Sequence, residues 1–169
     1  DLLLERDIAI VDTRSISMGQ GFMVLEAAEA VREGASTNEI IERARDVGER
    51  VTLFAALSTL KYLAMSGRVG HLTAGMANLL SIKPLLTLKD GVEEIREAFH
   101  EALTADALSG GTADRMAIVH VDSLPEARQF EKQLRARLPC PDTIITAELT
   151  PGLSVHTGAG LVGLAAVSM

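Results

Sequence analysis

Apolar and polar positions along this chain follow two periods, and together they predict strands interleaved with helices. Short apolar runs typical of strands cover residues 8–12, 51–57, 83–88, 116–121, 142–149 and 160–169. Apolar positions at helical spacing predict longer helices over residues 22–34, 36–51, 92–108 and 124–138, with short ones over 59–67 and 71–82. This alternation favours an α/β fold in which helices cover a layered mixed sheet.

Boundary residues support several of these elements. Ser36 or Thr37, followed by Glu39, is typical of a capped helix start. Residues 89–91, Lys-Asp-Gly, predict a turn after the third strand. The serine- and glycine-rich residues 13–21 predict a loop between the first strand and the first helix.

Composition narrows the classes of partner. Hydrophobic residues make up 47% of the 169-residue chain, aromatic residues only 3%, and the formal net charge is −7. Nucleic-acid binding depends on Lys and Arg that neutralise phosphates and, for single strands, on aromatic stacking, so this class is disfavoured. No stretch approaches the ~20 apolar residues of a membrane span and no signal peptide opens the sequence, which predicts a soluble, cytoplasmic protein.

Few residues suggest covalent or metal chemistry. Cys140 is the sole cysteine and lies between two prolines, so no disulfide forms within the chain, which fits a reducing compartment. We interpret Cys140 as a buried or inert thiol rather than a nucleophile. No pair of His or Cys residues has metal-ligand spacing and no nucleophile elbow occurs, so metalloenzyme and hydrolase functions have no support.

Two glycine-containing stretches invite a phosphate-binding interpretation. Residues 158–163, GAGLVG, match the dinucleotide motif by letter, but that motif opens a helix and needs a second strand, and only six residues follow Gly163. Residues 17–22, SMGQGF, lie between a predicted strand and a helix, where exposed amides can hold an anion. The alternative for this second stretch is ordinary loop geometry, with Ser15 or Ser17 capping the helix.

The remaining polar candidates are Arg68 in SGRVG and the pair His156 and Thr157 in VHTG. If these two turns converge, they supply a guanidinium, a ring N–H and a hydroxyl, a set that suits a carboxylate or a phosphate. The alternative is a salt bridge for Arg68 and a backbone hydrogen bond for His156. The residues themselves favour neither interpretation.

Four stretches, taken in order, resemble the DegV family, whose members are bacterial fatty-acid-binding proteins of two α/β domains. The stretches are IVDTRSISMGQGFMVLEAAEAVREGASTNEI, LSTLKYLAMSGRVG, NLLSIKPLLTLKDG and LSVHTGAGLVGLAAV, and they run over nearly the whole chain. The resemblance implies a fatty acid buried between the domains, with Arg68, His156 and Thr157 at its carboxylate. Ser17 and Thr59 match recurring family positions whose roles are less defined.

The same resemblance implies a carrier rather than an enzyme, with no cofactor or metal. Its partner would be a fatty acid kinase, which phosphorylates the bound acid on the way to phospholipid synthesis. Two other functions stay open beside it. One is an enzyme or binding protein for a phosphorylated small molecule, and the other is an acidic interaction module.

The family pattern also bears on domain organisation. Family members carry a further region before IVD, including a Ser/Gly-rich loop, so we expect residues 1–50 to be the C-terminal remnant of the first α/β domain. Residues 51–169 are expected to form the second domain. After LKDG the family commonly continues with a strand that bears basic residues, whereas residues 92–108 are acidic and have helical spacing. This departure puts partner contacts in that region in doubt.

Overall fold

A six-stranded mixed sheet forms the centre of the computed structural model, which describes residues 8–67, 84–89, 92–97 and 112–169. The strands are β1 (Val51–Ala56), β2 (Pro84–Lys89), β3 (Val92–Glu97), β4 (Ala113–His120), β5 (Ile144–Glu148) and β6 (Val162–Ser168). The described helices are α1 (Ser17–Arg32), α2 (Thr37–Arg50), α3 (Lys61–Met65), α4 (Leu124–Arg137) and α5 (Pro151–Thr157). The predicted α/β class is therefore confirmed.

The strand order is β3-β2-β1-β6-β4-β5, which places the last strand of the chain in the middle of the sheet. Strand β6 pairs antiparallel with β1 on one side and with β4 on the other. Strands β4 and β5 are parallel and are connected by α4. As a result, the carboxyl ends of β1, β4 and β5 and the amino end of β6 meet at one edge of the sheet, called the upper edge below.

Alternating side chains of the strands feed two apolar layers, one on each face of the sheet. Leu53 of β1 packs with Phe22 and Met23 of α1 on one face, whereas its neighbour Phe54 packs with Phe130 of α4 on the other. This period of two is what a strand buried on both faces requires. The most deeply buried large side chains are Phe22, Leu57, Leu85, Ile118, Leu134, Leu161, Leu164 and Val167.

An ion-pair network ties the first helical layer to the sheet. Glu26 of α1, whose side chain is 13% exposed, lies 2.6 Å from Arg43 of α2 and 2.9 Å from Arg115 of β4. Arg115 also contacts Glu29 at 2.7 Å, and Arg43 contacts Glu33 at 2.6 Å. Hydrogen bonds to these carboxylates, Glu29 foremost for Arg115 and Glu33 for Arg43, raise the pKa of both guanidinium groups. Both cations therefore stay charged, and they orient α1 and α2 over β4.

The predicted strand at residues 8–12 is wrong, because this segment has no regular structure. Ile8 and Ile10 are 57% and 91% exposed, and no described strand pairs with them. An apolar run becomes a strand only where a neighbour satisfies its backbone groups.

The predicted loop over residues 13–21 is too long. Helix α1 begins at Ser17, and the amides of Gly19 and Gln20 donate to the carbonyl of Ile16. The N-cap is Ile16 without a side-chain hydrogen bond, so capping by Ser15 or Ser17 is wrong too. The SMGQGF stretch is thus helical rather than an open amide loop.

The predicted helix over residues 92–108 is wrong for its first part, since Val92–Glu97 is strand β3. Lys89 pairs with Val92, so only Asp90 and Gly91 lie between β2 and β3. Asp-Gly is a favoured two-residue hairpin sequence, and the strand pairing it permits outweighs the helical spacing of the apolar positions. Residues 98–108 and the predicted helix at 71–82 lie outside the described residues.

The other predictions fare better. The capping box at Ser36 and Glu39 is confirmed, and the hydrogen bonds from Ser36 lower the pKa of the Glu39 carboxyl. The strands predicted near 51–57, 83–88, 116–121, 142–149 and 160–169 and the helix near 124–138 are all present. Helix α5 was missed, although Pro151 after Thr150 is a recognisable start signal. Among the described residues, no helix is long and apolar enough to cross a membrane.

Gly163 shows how closely the central strands pack. A Cβ added to Gly163 would lie 2.8 Å from the carbonyl oxygen of Phe54 and 3.0 Å from Val119 Cγ2. We predict that Gly163→Ala lowers the free energy of unfolding by about 1–3 kcal/mol. The carbonyl oxygen of Phe54 belongs to the paired strand β1, so it cannot easily move away from the added methyl group. Gly152→Ala is the matched control, since its nearest atom is 4.0 Å away. Urea unfolding followed by circular dichroism tests both, and equal effects of the two variants would contradict the packing argument.

Candidate functional site

The candidate residues that the structure describes gather near the upper edge of the sheet. Thr59 lies between β1 and α3, and His156 and Thr157 are the last two residues of α5. Helices α3 and α5 contact each other, so the two connections lie side by side. Arg68 lies outside the described residues, and its convergence with His156 stays a prediction.

Helix α5 ends so that its last side chains stand at the rim of this edge. Pro151 occupies the first turn, and Gly158 ends the helix with φ +78° and ψ 169°, a combination that essentially only glycine adopts. His156 and Thr157 are both partly buried. The Thr157 hydroxyl lies 3.4 Å from the carbonyl of Leu153 and 3.5 Å from that of Ser154, which are long hydrogen bonds. This hydroxyl is free to rotate toward a better acceptor.

The β1–α3 connection holds the glycine turn that follows α5. The Ser58 hydroxyl donates to the carbonyl of Ala159 at 2.7 Å. A Cβ added to Gly160, where φ is +86°, would lie 3.1 Å from Ser58 Cβ. The amide of Gly160 donates in turn to the carbonyl of Val121 at the end of β4. The turn is therefore held by hydrogen bonds to the two segments that directly follow β1 and β4.

Tyr62 of α3 makes the second contact with this turn. Its ring lies so close to Gly158 that an added Cβ would overlap Cδ2 and Cε2. Lys61 Nζ lies 6.0 Å from the centre of the same ring. Thr59, by contrast, accepts a hydrogen bond from the amide of Lys61 at 3.2 Å and so helps to start α3.

An apolar cluster lies directly beneath these connections. Its six buried members come from the ends of β1, α3, β4 and β6 and are Leu57, Leu60, Leu63, Val119, Val121 and Leu161. Met18 of α1 packs against this cluster and also against the buried cluster on the α1 face of the sheet, and the candidate Ser17 precedes it in the chain. Ser17 has φ +53°, a strained value for a residue other than glycine. The upper edge thus combines hydroxyl and imidazole side chains with an apolar cluster beneath them.

Several residues that build this edge had no signal in the sequence. Ser58 and Tyr62 gave no recognisable motif, although the glycines they contact stand out in VHTGAG. His120 ends β4 and is buried, and its Nδ1 accepts the amide of Ser123 at 3.4 Å, which fixes the turn into α4. The rejection of GAGLVG as a dinucleotide motif is confirmed, since a strand rather than a helix follows Gly160.

The side chains of this edge include hydrogen-bond donors of the kind that bind a small polar group. In the described part of the chain, no three His, Cys, Asp or Glu side chains are grouped as a metal site would need. The hydroxyls of Thr59 and Thr157 and the imidazole of His156 can donate hydrogen bonds to a carboxylate or a phosphate. The apolar cluster beneath them suits a ligand that is hydrophobic apart from this polar group.

The whole chain matches one protein family. The family model described as "Uncharacterised protein, DegV family" matches residues 1–169. A DegV domain-containing protein from Staphylococcus aureus is 27% identical to this chain over 96% of the chain and 61% of its own length. The chain therefore spans about three fifths of the length of that relative.

Two solved structures share the fold. One is a fatty acid binding DegV family protein from Streptococcus agalactiae, which is 28% identical with a TM-score of 0.79 over 95% of this chain and 60% of that chain. The other, described by the fatty acid binding of a DegV family protein from Thermus thermophilus, is 28% identical with a TM-score of 0.75 over 95% of this chain and 61% of that chain.

Cys140 lies away from this edge, packed against the α4 layer. Burial raises the pKa of its thiol, an effect that nearby Arg135 partly offsets. We predict that 5,5′-dithiobis(2-nitrobenzoate) reacts with Cys140 at pH 8 at least about threefold more slowly than with free cysteine, because less thiolate is present. The rate should rise as the pH passes above the ordinary thiol range and should match free cysteine in urea. Rapid reaction of the folded protein at pH 7 would show an activated thiol instead.

Proposed function

This chain belongs to the DegV family, and from that premise we propose that it is the larger part of a cytoplasmic fatty-acid carrier. In this proposal Arg68, His156 and Thr157 bind the carboxylate of a long-chain fatty acid. The observation that carries it is the upper edge, where His156 and Thr157 stand beside a buried apolar cluster. The relatives from S. agalactiae and T. thermophilus, described as fatty acid binding, support the same ligand.

The energetics of the ligand explain why both features are needed. Each buried CH₂ contributes about 0.8 kcal/mol, so a sixteen-carbon tail contributes on the order of 12 kcal/mol before ordering costs. A carboxylate removed from water without partners costs several kcal/mol. The tail therefore supplies the affinity, and the polar residues offset the cost of the head group and fix its position.

The proposal includes the arrangement of domains. Residues 1–50 would belong to the first domain and 51–169 to the second, with the tail of the ligand between them. Helix α1 exposes Val24, Leu25 and Val31 at 59%, 40% and 60% on the side away from the sheet. Apolar side chains on both faces of a helix are typical of a helix packed between two layers, which supports further first-domain structure against the exposed side of α1.

We further propose that the carrier performs no chemistry on its ligand. The bound acid would be presented to an ATP-using fatty acid kinase, which would form the acyl phosphate. Ser17 and Thr59 would line the cavity near the head group, and no cofactor or metal would be required.

Extraction of the ligand tests this function most directly. We expect the natural full-length protein, purified from bacteria and extracted with organic solvent, to release long-chain fatty acid at a near-stoichiometric amount by mass spectrometry. Recovery of a phosphorylated small molecule instead would favour the alternative function. If the protein releases no ligand and also fails to bind added hexadecanoic acid, the proposal is wrong.

Thr157→Val tests the head-group residues with almost no change in shape. We predict that it weakens hexadecanoic acid binding by about 10- to 100-fold, because a hydrogen bond to a charged group contributes roughly 1.5–3 kcal/mol. Ser154→Ala on the same helix is the control, since its hydroxyl makes only a 3.5 Å contact with Pro151 and is expected to change affinity less than about twofold. Titration calorimetry on the full-length protein measures both. Equal affinities of wild type and Thr157→Val would remove Thr157 from the site.

A further inference from the structure

A cavity of about 230 Å³ lies on the α4 face of the sheet, close to the upper edge. The end of β1 with its connection forms one wall, α4 forms another, and the turn before β6 and the start of that strand complete it. The lining residues are Ala56, Leu57, Ser58, Glu126, Gln129, Phe130, Gln133, Gly160 and Val162. Because Ser58 and Gly160 also build the candidate site, the cavity adjoins that site.

The inner lining of the cavity is apolar. Phe130 and Val162 are 2% and 8% exposed and belong to the buried cluster of the α4 layer. Leu57 is 1% exposed and belongs to the apolar cluster beneath α3. Side chains from both clusters therefore line the cavity, and an alkyl group that enters it exchanges water for hydrocarbon contacts.

The polar part of the lining makes the cavity unsuitable for an anion. Glu126 lies in the first turn of α4 and is the only charged residue in the cavity lining. Gln129 and Gln133 add uncharged amides from later turns of the same helix. A carboxylate or a phosphate inside the cavity would meet the like charge of Glu126 without a cation to balance it. The cavity therefore favours the uncharged part of a ligand.

The size and position of the cavity indicate which part of the ligand this is. Sites that enclose a whole small molecule measure about 300–1,000 Å³, so a cavity of about 230 Å³ holds only a portion of one. Gly160 follows Thr157 by three residues in the chain, a span of at most about 11 Å. A long ligand whose polar group lies beside Thr157 would thus have its apolar end within reach of the cavity.

From these observations we infer that the cavity holds the methyl end of the fatty acid tail and sets the preferred chain length. Ala56 is the specificity-determining residue, because its small, partly buried side chain lines the cavity from the last position of β1. A larger side chain there would fill the space that the last CH₂ groups need. This inference rests on the proposed function and adds to it the place where the tail ends.

Two brominated acids test the location of the tail. In 16-bromohexadecanoic acid the bromine marks the methyl end, and in 2-bromohexadecanoic acid it lies beside the carboxylate. Crystal structures of the full-length protein with each acid should place the first bromine among Ala56, Phe130 and Val162 and the second near Thr157, as measured by anomalous scattering. If the acids bind but the first bromine lies outside the cavity, this inference alone is overturned. If neither acid binds, the proposed function fails and the inference fails with it.

Ala56→Leu tests the control of chain length. Each CH₂ excluded from an apolar cavity weakens binding about fourfold, so the loss of room for two of them should weaken hexadecanoic acid binding about 15-fold. Decanoic acid has a shorter tail that does not need this space, and its affinity should change less than about twofold. Titration calorimetry on the full-length protein measures both affinities.

Two further variants separate this effect from a general loss of structure. Ala136→Leu makes the same substitution at an exposed position of α4 outside the cavity and should leave both affinities unchanged. Ala56→Val adds less bulk and, if Ala56→Leu fails to fold, should still give a loss of about fourfold for hexadecanoic acid alone. Equal losses for the two acids, or no loss for either, would show that the cavity does not set chain length.

Discussion

The insertion of β6 between β1 and β4 is the constraint on which the rest of this structure depends. Because the last strand enters the middle of the sheet, the connection before it must cross the upper edge beside the end of β1. Helix α5 and the glycine turn fill that crossing, and the β1–α3 connection lies next to them. Residues 101 positions apart in sequence, Ser58 and Ala159, become neighbours for this reason.

The connection that crosses the upper edge before β6 is closely packed, and glycine residues make this packing possible. Gly158 and Gly160 both have positive φ; Tyr62 of α3 approaches Gly158 closely, and Ser58 of the β1–α3 connection approaches Gly160. Gly163 then lets β6 sit tightly against β1. The three glycines that imitate a dinucleotide motif by letter are therefore used for two turns and one close strand contact, and none of them opens a helix.

Elements with strong local signals were predictable from the sequence, and elements that depend on pairing were not. The capping box at Ser36 and the amphipathic pattern of α4 lie within single helices, so the local sequence suffices. Residues 8–12 and 92–97 were assigned incorrectly because their state depends on whether another strand lies beside them. The candidate site follows the same rule: the glycine context singles out His156 and Thr157 in the sequence, whereas the contact between Tyr62 and Gly158 depends on how distant segments fold together.

In the proposed carrier, the tail and the head group of the fatty acid are bound by different kinds of contact. This difference affects how the ligand would be released. Affinity from a buried tail is spread over many weak contacts, whereas orientation depends on a few hydrogen bonds at one end. Here the candidate residues His156 and Thr157 end the short helix α5, which Tyr62 of α3 contacts through Gly158, above an apolar cluster that is held by the sheet. Because Leu63 of α3 belongs to the apolar cluster, a movement of α3 would be transmitted to that cluster, whereas no residue of α5 belongs to it. In the proposed carrier, α5 is therefore the element that can move the head group while the apolar contacts, which supply most of the binding energy, stay in place.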